Sequence, residues 1–233
     1  EKYGVTHPTK AGLKIPQMFD AAINKELKGL WIIGEDIVQT DPNSAHVVDA
    51  MNSLELLVVQ EIFMSETAKL ATVVLPGTTF LEKDGTFTNT ERRIQRVNRA
   101  VAPLPGTKPD GLIVTDMMQK LGFDQPTYDA DQVLSEIADV VPFFKGVTRE
   151  RLGKLGLQWP VKEDGTDTQI LHTESFKLGK GRLKNFDWKE SSEIEANQKD
   201  YPLILTTSRV LQHYNAATMT RRTKNINIVD EDV

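Results

Sequence analysis

Two short apolar runs constrain the fold of this chain more than any other feature. The first, LWIIG, begins at Leu30, and the second, ELLVVQ, ends at Gln60. A segment with helical spacing, residues 43–54, separates them. Runs of this length rich in Val, Ile and Leu are typical of parallel strands buried on both faces of an open sheet. The sequence therefore predicts an α/β fold with a doubly wound, mostly parallel sheet and flanking helices.

Each apolar run stops abruptly at polar residues. Gly34, Glu35, Asp36 and Thr40 follow the first run, and Gln60 closes the second. Ligands of open parallel sheets bind at the carboxyl ends of the strands, so a ligand is expected at these residues. The Asp36 carboxylate could accept two hydrogen bonds from an NH/NH2 edge such as that of guanine. Alternatively, Asp36 caps a turn and binds nothing.

Five segments carry a resemblance to a known family: GLWIIGEDIVQTDPN, LLVVQEIFMSETAKLATVVLP, FLEKDGTFTNTERRIQRV, ERLGKLGLQWP and YPLILTTSRVLQHYNAATMTRR. In this order they resemble the molybdopterin oxidoreductase family, and within it the catalytic subunit of molybdenum or tungsten formate dehydrogenase. The resemblance implies two molybdopterin guanine dinucleotides (bis-MGD) on one Mo or W, usually with an iron-sulfur cluster nearby. Because the chain has no Cys, no thiolate of this chain would bind that cluster.

The resemblance also implies roles for individual residues. In the family, the acidic residue and the threonine of the GED-x3-T segment contact one guanine dinucleotide, which carries over to Asp36 and Thr40. Gln60 at the next strand end and Asp110 at a helix start match further cofactor-contacting positions. Without the resemblance, Asp110 would be an ordinary negative charge in the first turn of a helix.

Further candidates lie at Gly77 and in the segment TTSRVLQHY. Gly77 follows a third predicted strand, residues 71–75, where a missing Cβ permits close approach of a ligand, although an ordinary turn glycine would look the same. The Arg-x3-His pattern of Arg209 and His213 lies against a pterin in the family. Ser208 stands where a glycine is often found. Considered alone, His213 would be a packed or surface histidine.

Three arginines of the segment DGTFTNTERRIQRV, Arg92, Arg93 and Arg96, allow two interpretations. Planar guanidinium groups suit a pyrophosphate, so the arginines could hold the cofactor. The favoured interpretation is structural: they pair with nearby carboxylates and hold the segment against a neighbouring domain. Those carboxylates are Glu82, Asp84 and Glu91.

The periodic segments and the resemblance together predict three regions. Residues 1–140 form an α/β region, which the resemblance makes the molybdopterin guanine dinucleotide-binding region, with 80–108 reaching toward an iron-sulfur domain. Residues 141–199 form a connecting helix and an irregular or β segment, and the resemblance implies that 200–233 begin an incomplete, β-rich C-terminal dinucleotide-binding barrel. Capping and spacing signals predict helices over 16–27, 109–121, 131–140 and 148–155, strands or loops over 162–189, a linker over 190–200 and a strand over 201–207.

Charge and hydropathy exclude two classes of partner. The net charge of −5 is spread over mixed-sign segments and offers no basic face for nucleic acid. No apolar run approaches the ~18 residues of a membrane span. Since family members are several times longer, the chain resembles an internal fragment. The remaining segments of the same subunit and iron-sulfur or other electron-transfer subunits are then its expected partners, in the cytoplasm or alternatively the periplasm.

The expected reaction is oxidation of formate to carbon dioxide, or the reverse. The resemblance implies that a hydride leaves the formate carbon and that electrons pass through pterin to an iron-sulfur cluster. The Cys or selenocysteine metal ligand belongs to upstream family segments, so no catalytic or metal-binding residue is assigned to this chain. Two alternatives stay open: a sister enzyme, such as nitrate reductase or the large iron-sulfur subunit of an NADH dehydrogenase, and a ligand-free α/β scaffold.

Overall fold

A computed structural model describes residues 2–6, 8–192, 194, 199–205, 208–226 and 228. The chain divides into two compact units, Glu1–Gln169 and Ile170–Val233. The first unit contains these helices and strands in order: α1 Ile15–Ile23, β1 Gly29–Ile33, α2 Ile37–Thr40, α3 Ser44–Ser53, β2 Leu56–Glu61, α4 Glu66–Lys69, β3 Val73–Pro76, β4 Gly85–Thr88, β5 Arg93–Val97, α5 Asp110–Lys120, α6 Ala130–Val140, α7 Arg149–Leu152 and β6 Leu157–Gln158.

The three predicted strands form one parallel sheet in the order β1-β2-β3. Ile32 of β1 pairs with Val59 of β2, which pairs with Val74 of β3. These side chains point to the same face and pack against α1 and α3. The residues of this core are Phe19, Ala22, Ile32, Ile37, Val47, Ala50, Met51, Leu57, Val59 and Ala68.

Burial of the strands on both faces, as predicted from their apolar runs, is wrong for part of the sheet. Ile33 is 50% exposed, Leu56 46% and Val73 43%. Successive side chains of a strand alternate between faces, and these three lie on the face opposite the core of α1 and α3. A continuous apolar run predicts a strand, but it does not show that this polypeptide covers the second face.

Local signals explain where the helices begin and end. Asn43 accepts the N–H of His46 at the start of α3, and Ser65 accepts the N–H of Ala68 at the start of α4, as their residue types predict. The first helix ends at Ile23 rather than at Leu27, because Lys25 takes the left-handed conformation with φ of 63°. Leu27 still packs against the core from outside the helix.

A second, antiparallel sheet was not predicted. It has the order β4-β5-β6 and is built from the segment 85–97 and the LGLQWP segment. Its buried Ile94 packs with Leu134 of α6, Leu152 of α7, Val147 just before α7 and Val161 after β6. Residues 141–169 thus pack within the first unit.

The second unit contains one short 3₁₀ helix, Thr220–Arg222, among its described elements. Residues 162–189 contain neither helix nor strand. The strand predicted for 201–207 is not formed over residues 201–205, while Thr206 and Thr207 lie outside the described residues. Among the residues that the structure describes, none of the helices has the length and apolarity needed to cross a bilayer.

Candidate functional site

The carboxyl ends of the three parallel strands lie side by side. The N–H of Gly34, just after β1, donates to the carbonyl of Gln60 at 2.9 Å. The N–H of Gly77, just after β3, donates to the carbonyl of Glu61 at 3.0 Å. Gly34 has a φ of +64°, a conformation that favours glycine, so the chain can turn sharply as it leaves the sheet.

Gln60 is an almost completely buried polar side chain at this edge. It is 1% exposed, and its Nε2 donates to Asp110 Oδ1 at 2.8 Å. Its Oε1 is buried and has no hydrogen-bond partner among the described residues. The hydroxyl of Thr78, directly after Gly77, is also buried without a hydrogen-bond partner among the described residues. Buried polar atoms are nearly always hydrogen-bonded in folded proteins, so unsatisfied atoms at a sheet's carboxyl edge indicate a binding site.

Asp110 joins β2 to the start of α5. Its Oδ1 accepts from Gln60, and its Oδ2 accepts from Lys83 Nζ at 2.6 Å. Burial opposes ionisation of Asp110, but the hydrogen bonds from Lys83 and Gln60 and the charge of Lys83 outweigh it. The pKa of Asp110 is therefore held below its usual value.

Gly77 lies against the same carboxylate. A Cβ added at Gly77 would lie 3.2 Å from Asp110 Oδ1 and 3.6 Å from Ile62 Cγ2. This distance is tighter than an ordinary contact, so an alanine would displace the carboxylate by a few tenths of an ångström. The structure thus brings Gln60, Gly77 and Asp110 together as one cluster.

A cavity of about 270 Å³ lies beside Asp110. Its lining includes Lys83, Asp84, Asp110 and Tyr128. Burial and the nearby charges of Asp110 and Asp129 raise the pKa of Tyr128, so its phenol stays protonated near neutral pH.

Asp36 has a different environment from Gln60. It is 3% exposed, and its carboxylate accepts the Thr67 N–H at 2.9 Å, the Thr67 hydroxyl at 2.7 Å and the Glu66 N–H at 3.3 Å. The Thr67 hydroxyl in turn accepts the N–H of Val38 at 3.1 Å. Asp36 therefore ties the loop after β1 to the first turn of α4.

The other predicted residues are more exposed or lie elsewhere. Glu35 and Thr40 are exposed near the end of β1. In the second unit, Ser208 and Arg209 are exposed, and His213 Nδ1 lies 2.9 Å from Thr220 Oγ1. No group of three or more His, Cys, Asp or Glu side chains within the described ranges could hold a metal ion.

Sequence reasoning missed Lys83 and Thr78. Lys83 precedes Asp84 in a charged loop, where a lysine is ordinarily a solvated surface residue. Its 24% side-chain exposure and its contact with Asp110, 27 positions away, are visible only in three dimensions.

Arg92, just before β5, and Arg93, its first residue, have structural partners, of which only one was predicted. Arg92 donates to the carbonyls of Trp159, Thr168 and Gln169, and its guanidinium lies 5.8 Å from the centroid of the Trp159 ring. Arg93 pairs with Glu91 at 3.4 Å, as predicted. Pairing with Glu82 and Asp84 is wrong, because these carboxylates accept backbone N–H groups instead.

Residues 5–120, which contain the parallel sheet and the Gln60 cluster, match the model of the molybdopterin oxidoreductase family. This chain belongs to the molybdopterin oxidoreductase family. The match ends at Lys120, the last residue of α5, so every part of the cluster lies within it.

Curated relatives extend the molybdopterin oxidoreductase similarity over nearly the whole chain. The F420-dependent formate dehydrogenase subunit alpha of Methanocaldococcus jannaschii is 45% identical over 93% of this chain, and the subunit alpha of F420-dependent formate dehydrogenase 2 of Methanococcus maripaludis is 44% identical over 95%. The chain spans about a third of the length of these relatives.

The fold also resembles a solved structure. Acetylene hydratase from Pelobacter acetylenicus matches 84% of this chain and 30% of its own, with a TM-score of 0.58 and 20% sequence identity. This likeness supports the mixed α/β architecture with its parallel sheet and helices.

Proposed function

We propose that this chain is part of the catalytic subunit of a formate dehydrogenase, where it binds and orients a bis-MGD cofactor carrying Mo or W. Family membership supports the molybdopterin cofactor, and the two archaeal relatives support formate as the substrate. The same proposal makes the remaining segments of the subunit, an iron-sulfur cluster and electron-transfer subunits the partners of this chain.

The buried Gln60 oxygen is the observation that carries the cofactor proposal. An acceptor that is shielded from water and lacks a partner is costly unless a ligand donates to it. A guanine edge offers N1–H and N2–H donors to such an oxygen. Gly77, whose missing Cβ makes room for Asp110 Oδ1, is proposed as a further contact at the end of β3. The residues present therefore fit a guanine dinucleotide at the ends of β2 and β3.

The proposal extends to the other predicted contacts. Gly34, Glu35, Asp36 and Thr40 would flank the same dinucleotide from the end of β1. Asp36, as a carboxylate that accepts from Glu66 and Thr67 of α4, would present only acceptor atoms to that dinucleotide. In the second unit, Ser208, Arg209 and His213 would contact a pterin.

We also propose that further polypeptide covers the exposed face of the parallel sheet, completing a doubly wound sheet, and that residues 200–233 begin a β-rich barrel. When bound, the metal and its pterins supply the redox chemistry that takes two electrons from formate. This chain's residues hold and orient that group, and none of them is assigned to the chemical step.

Analysis of the complete subunit tests the proposed function. We expect two pterin guanine dinucleotides per metal ion, and formate-dependent reduction of a viologen dye. Metal and pterin without formate oxidation would favour a sister enzyme of the family. A purified subunit with neither metal nor pterin would favour the ligand-free scaffold.

A further inference from the structure

Residues 177–189, the basic segment, differ in charge from the rest of the chain. They contain one acidic residue, Asp187, and these basic residues: Lys177, Lys180, Arg182, Lys184 and Lys189. Because the segment carries +4 and the whole chain −5, the other residues together carry −9. Positive charge concentrated on a short stretch of an acidic chain indicates a surface that attracts an acidic molecule.

Large apolar side chains lie between these charges. Leu178 is 95% exposed, Phe186 86% and Trp188 82%. None of the basic side chains of the segment forms an ion pair with another residue that the structure describes. Large apolar side chains grouped on an exposed surface mark an interaction site, and aromatic and Arg side chains are enriched where proteins bind one another.

The backbone of the basic segment is also open to a partner. Between residues 180 and 189, no N–H or carbonyl forms a hydrogen bond to another described residue. Gly179 and Gly181 disfavour a helix. A segment that forms neither helix nor strand can pair its backbone with a sheet edge, or lie in a groove, of another protein.

The same features distinguish between kinds of partner. An anionic membrane fits poorly, because its surface would repel the acidic remainder of the chain and because the glycines disfavour an amphipathic helix. Nucleic acid, an extended anion, would repel that remainder as well. Burial inside the same subunit would require the costly desolvation of closely spaced cations. A separate protein with a local acidic patch meets none of these objections.

We propose that the basic segment is the docking site of an electron-transfer subunit whose contacting surface is acidic and contains apolar pockets. This inference rests on the proposed function, because that function requires a protein that accepts the electrons of formate. The basic side chains steer the partner and form the solvent-exposed rim of the contact, while Phe186 and Trp188 anchor it.

The complete catalytic subunit and its electron-transfer subunit test the proposal. The test variant combines Lys177→Gln, Lys180→Gln and Lys184→Gln. The matched control makes the same change of charge at three exposed lysines of the first unit: Lys10, Lys120 and Lys154. The measurement is the Kd between the two subunits over a salt series, with formate-dependent viologen reduction and the melting temperature of each variant recorded alongside.

We expect the test variant to raise the Kd about tenfold at low salt, chiefly through slower association. The difference should shrink toward about 1 M salt, because salt screens the lost attraction. The control variant should match the wild type, and arginine at the three test positions should restore binding. Trp188→Ala should speed dissociation at every salt concentration. Viologen reduction should stay at the wild-type rate throughout, because the dye takes electrons without the partner subunit.

Several results would overturn the proposal. Equal Kd values for the test and control variants at low salt would remove the role of the segment, as would a loss of binding that arginine does not restore. A wild-type subunit that purifies without any partner at low salt would do the same. Binding of phosphatidylglycerol vesicles or duplex DNA by the wild type but not by the test variant, with unchanged subunit affinity, would assign the segment to another anionic surface. Absence of viologen reduction in the wild type would instead contradict the proposed function, while the subunit affinities would still decide the docking site.

Discussion

At the scale of single residues, Asp36 and Gln60 show that hydrogen-bond partners distinguish two polar side chains that look alike in the sequence. Asp36 lies just after β1 and Gln60 near the end of β2, and both are almost completely buried. The Asp36 carboxylate accepts three hydrogen bonds from Glu66 and Thr67, whereas Gln60 keeps one buried atom unsatisfied. Asp36 therefore has a specific structural partner in α4, as the alternative of a purely local, turn-capping role requires. The contact of Asp36 with guanine stays a prediction.

Replacing Asp36 by alanine should destabilise the first unit. The substitution leaves the N–H groups of Glu66 and Thr67 without their acceptor, so we expect the free energy of unfolding to fall by about 2 kcal/mol. Urea denaturation measures this loss. The control is Glu35→Ala, which removes an exposed neighbouring carboxylate and should change the free energy of unfolding by less than about 0.5 kcal/mol. Unchanged stability with loss of cofactor would show that the carboxylate serves the ligand instead.

At the scale of elements, the sequence predicted the parallel sheet and most helices but missed the antiparallel sheet. Apolar runs and capping residues are local, and they placed β1, β2, β3, α3 and α5 nearly as observed. The pairing of β5 with β6 joins segments more than 60 positions apart, and β6 is only two residues long. Periodicity cannot detect such a strand, because its hydrogen bonds and not its pattern define it.

Arg92 is the side chain that ties this distant pairing together. Arg92→Gln removes guanidinium bonds to three carbonyls and the contact with the Trp159 ring, so we expect a loss of about 2 kcal/mol in the free energy of unfolding. Hydrogen exchange over residues 157–161 should rise. Arg96→Gln is the control, since the exposed Arg96 contacts only Asn98, at 3.3 Å, among the hydrogen bonds of its described side chain.

The opposite result at Arg92 has a clear meaning. If Arg92→Gln and Arg96→Gln unfold at the same urea concentration while the Arg92 variant alone loses pterin, the guanidinium holds a phosphate rather than the β5-β6 pairing. That outcome would restore the pyrophosphate interpretation of this segment.

At the scale of the whole molecule, the resemblance read from five sequence segments gave the family, and the structure showed which predicted residues meet. Gln60, Gly77 and Asp110 form one cluster, although 50 positions separate the first from the last. The sequence could not assign Lys83 or Thr78 to that cluster, because neither belongs to a recognisable binding pattern. The chain's size relative to its relatives, about a third, makes cofactor binding the function to test in this portion.

The most direct test of the cofactor site compares Gln60→Ala with Gln39→Ala in the complete subunit. Gln39 is an exposed glutamine of α2 and serves as the matched control. The measurement is the number of guanine dinucleotides per subunit after gel filtration, with the melting temperature recorded alongside. We predict that Gln60→Ala retains roughly tenfold less dinucleotide, as expected for loss of a buried hydrogen bond to the ligand. Equal dinucleotide content in Gln60→Ala, Gln39→Ala and the wild type would contradict the proposed site.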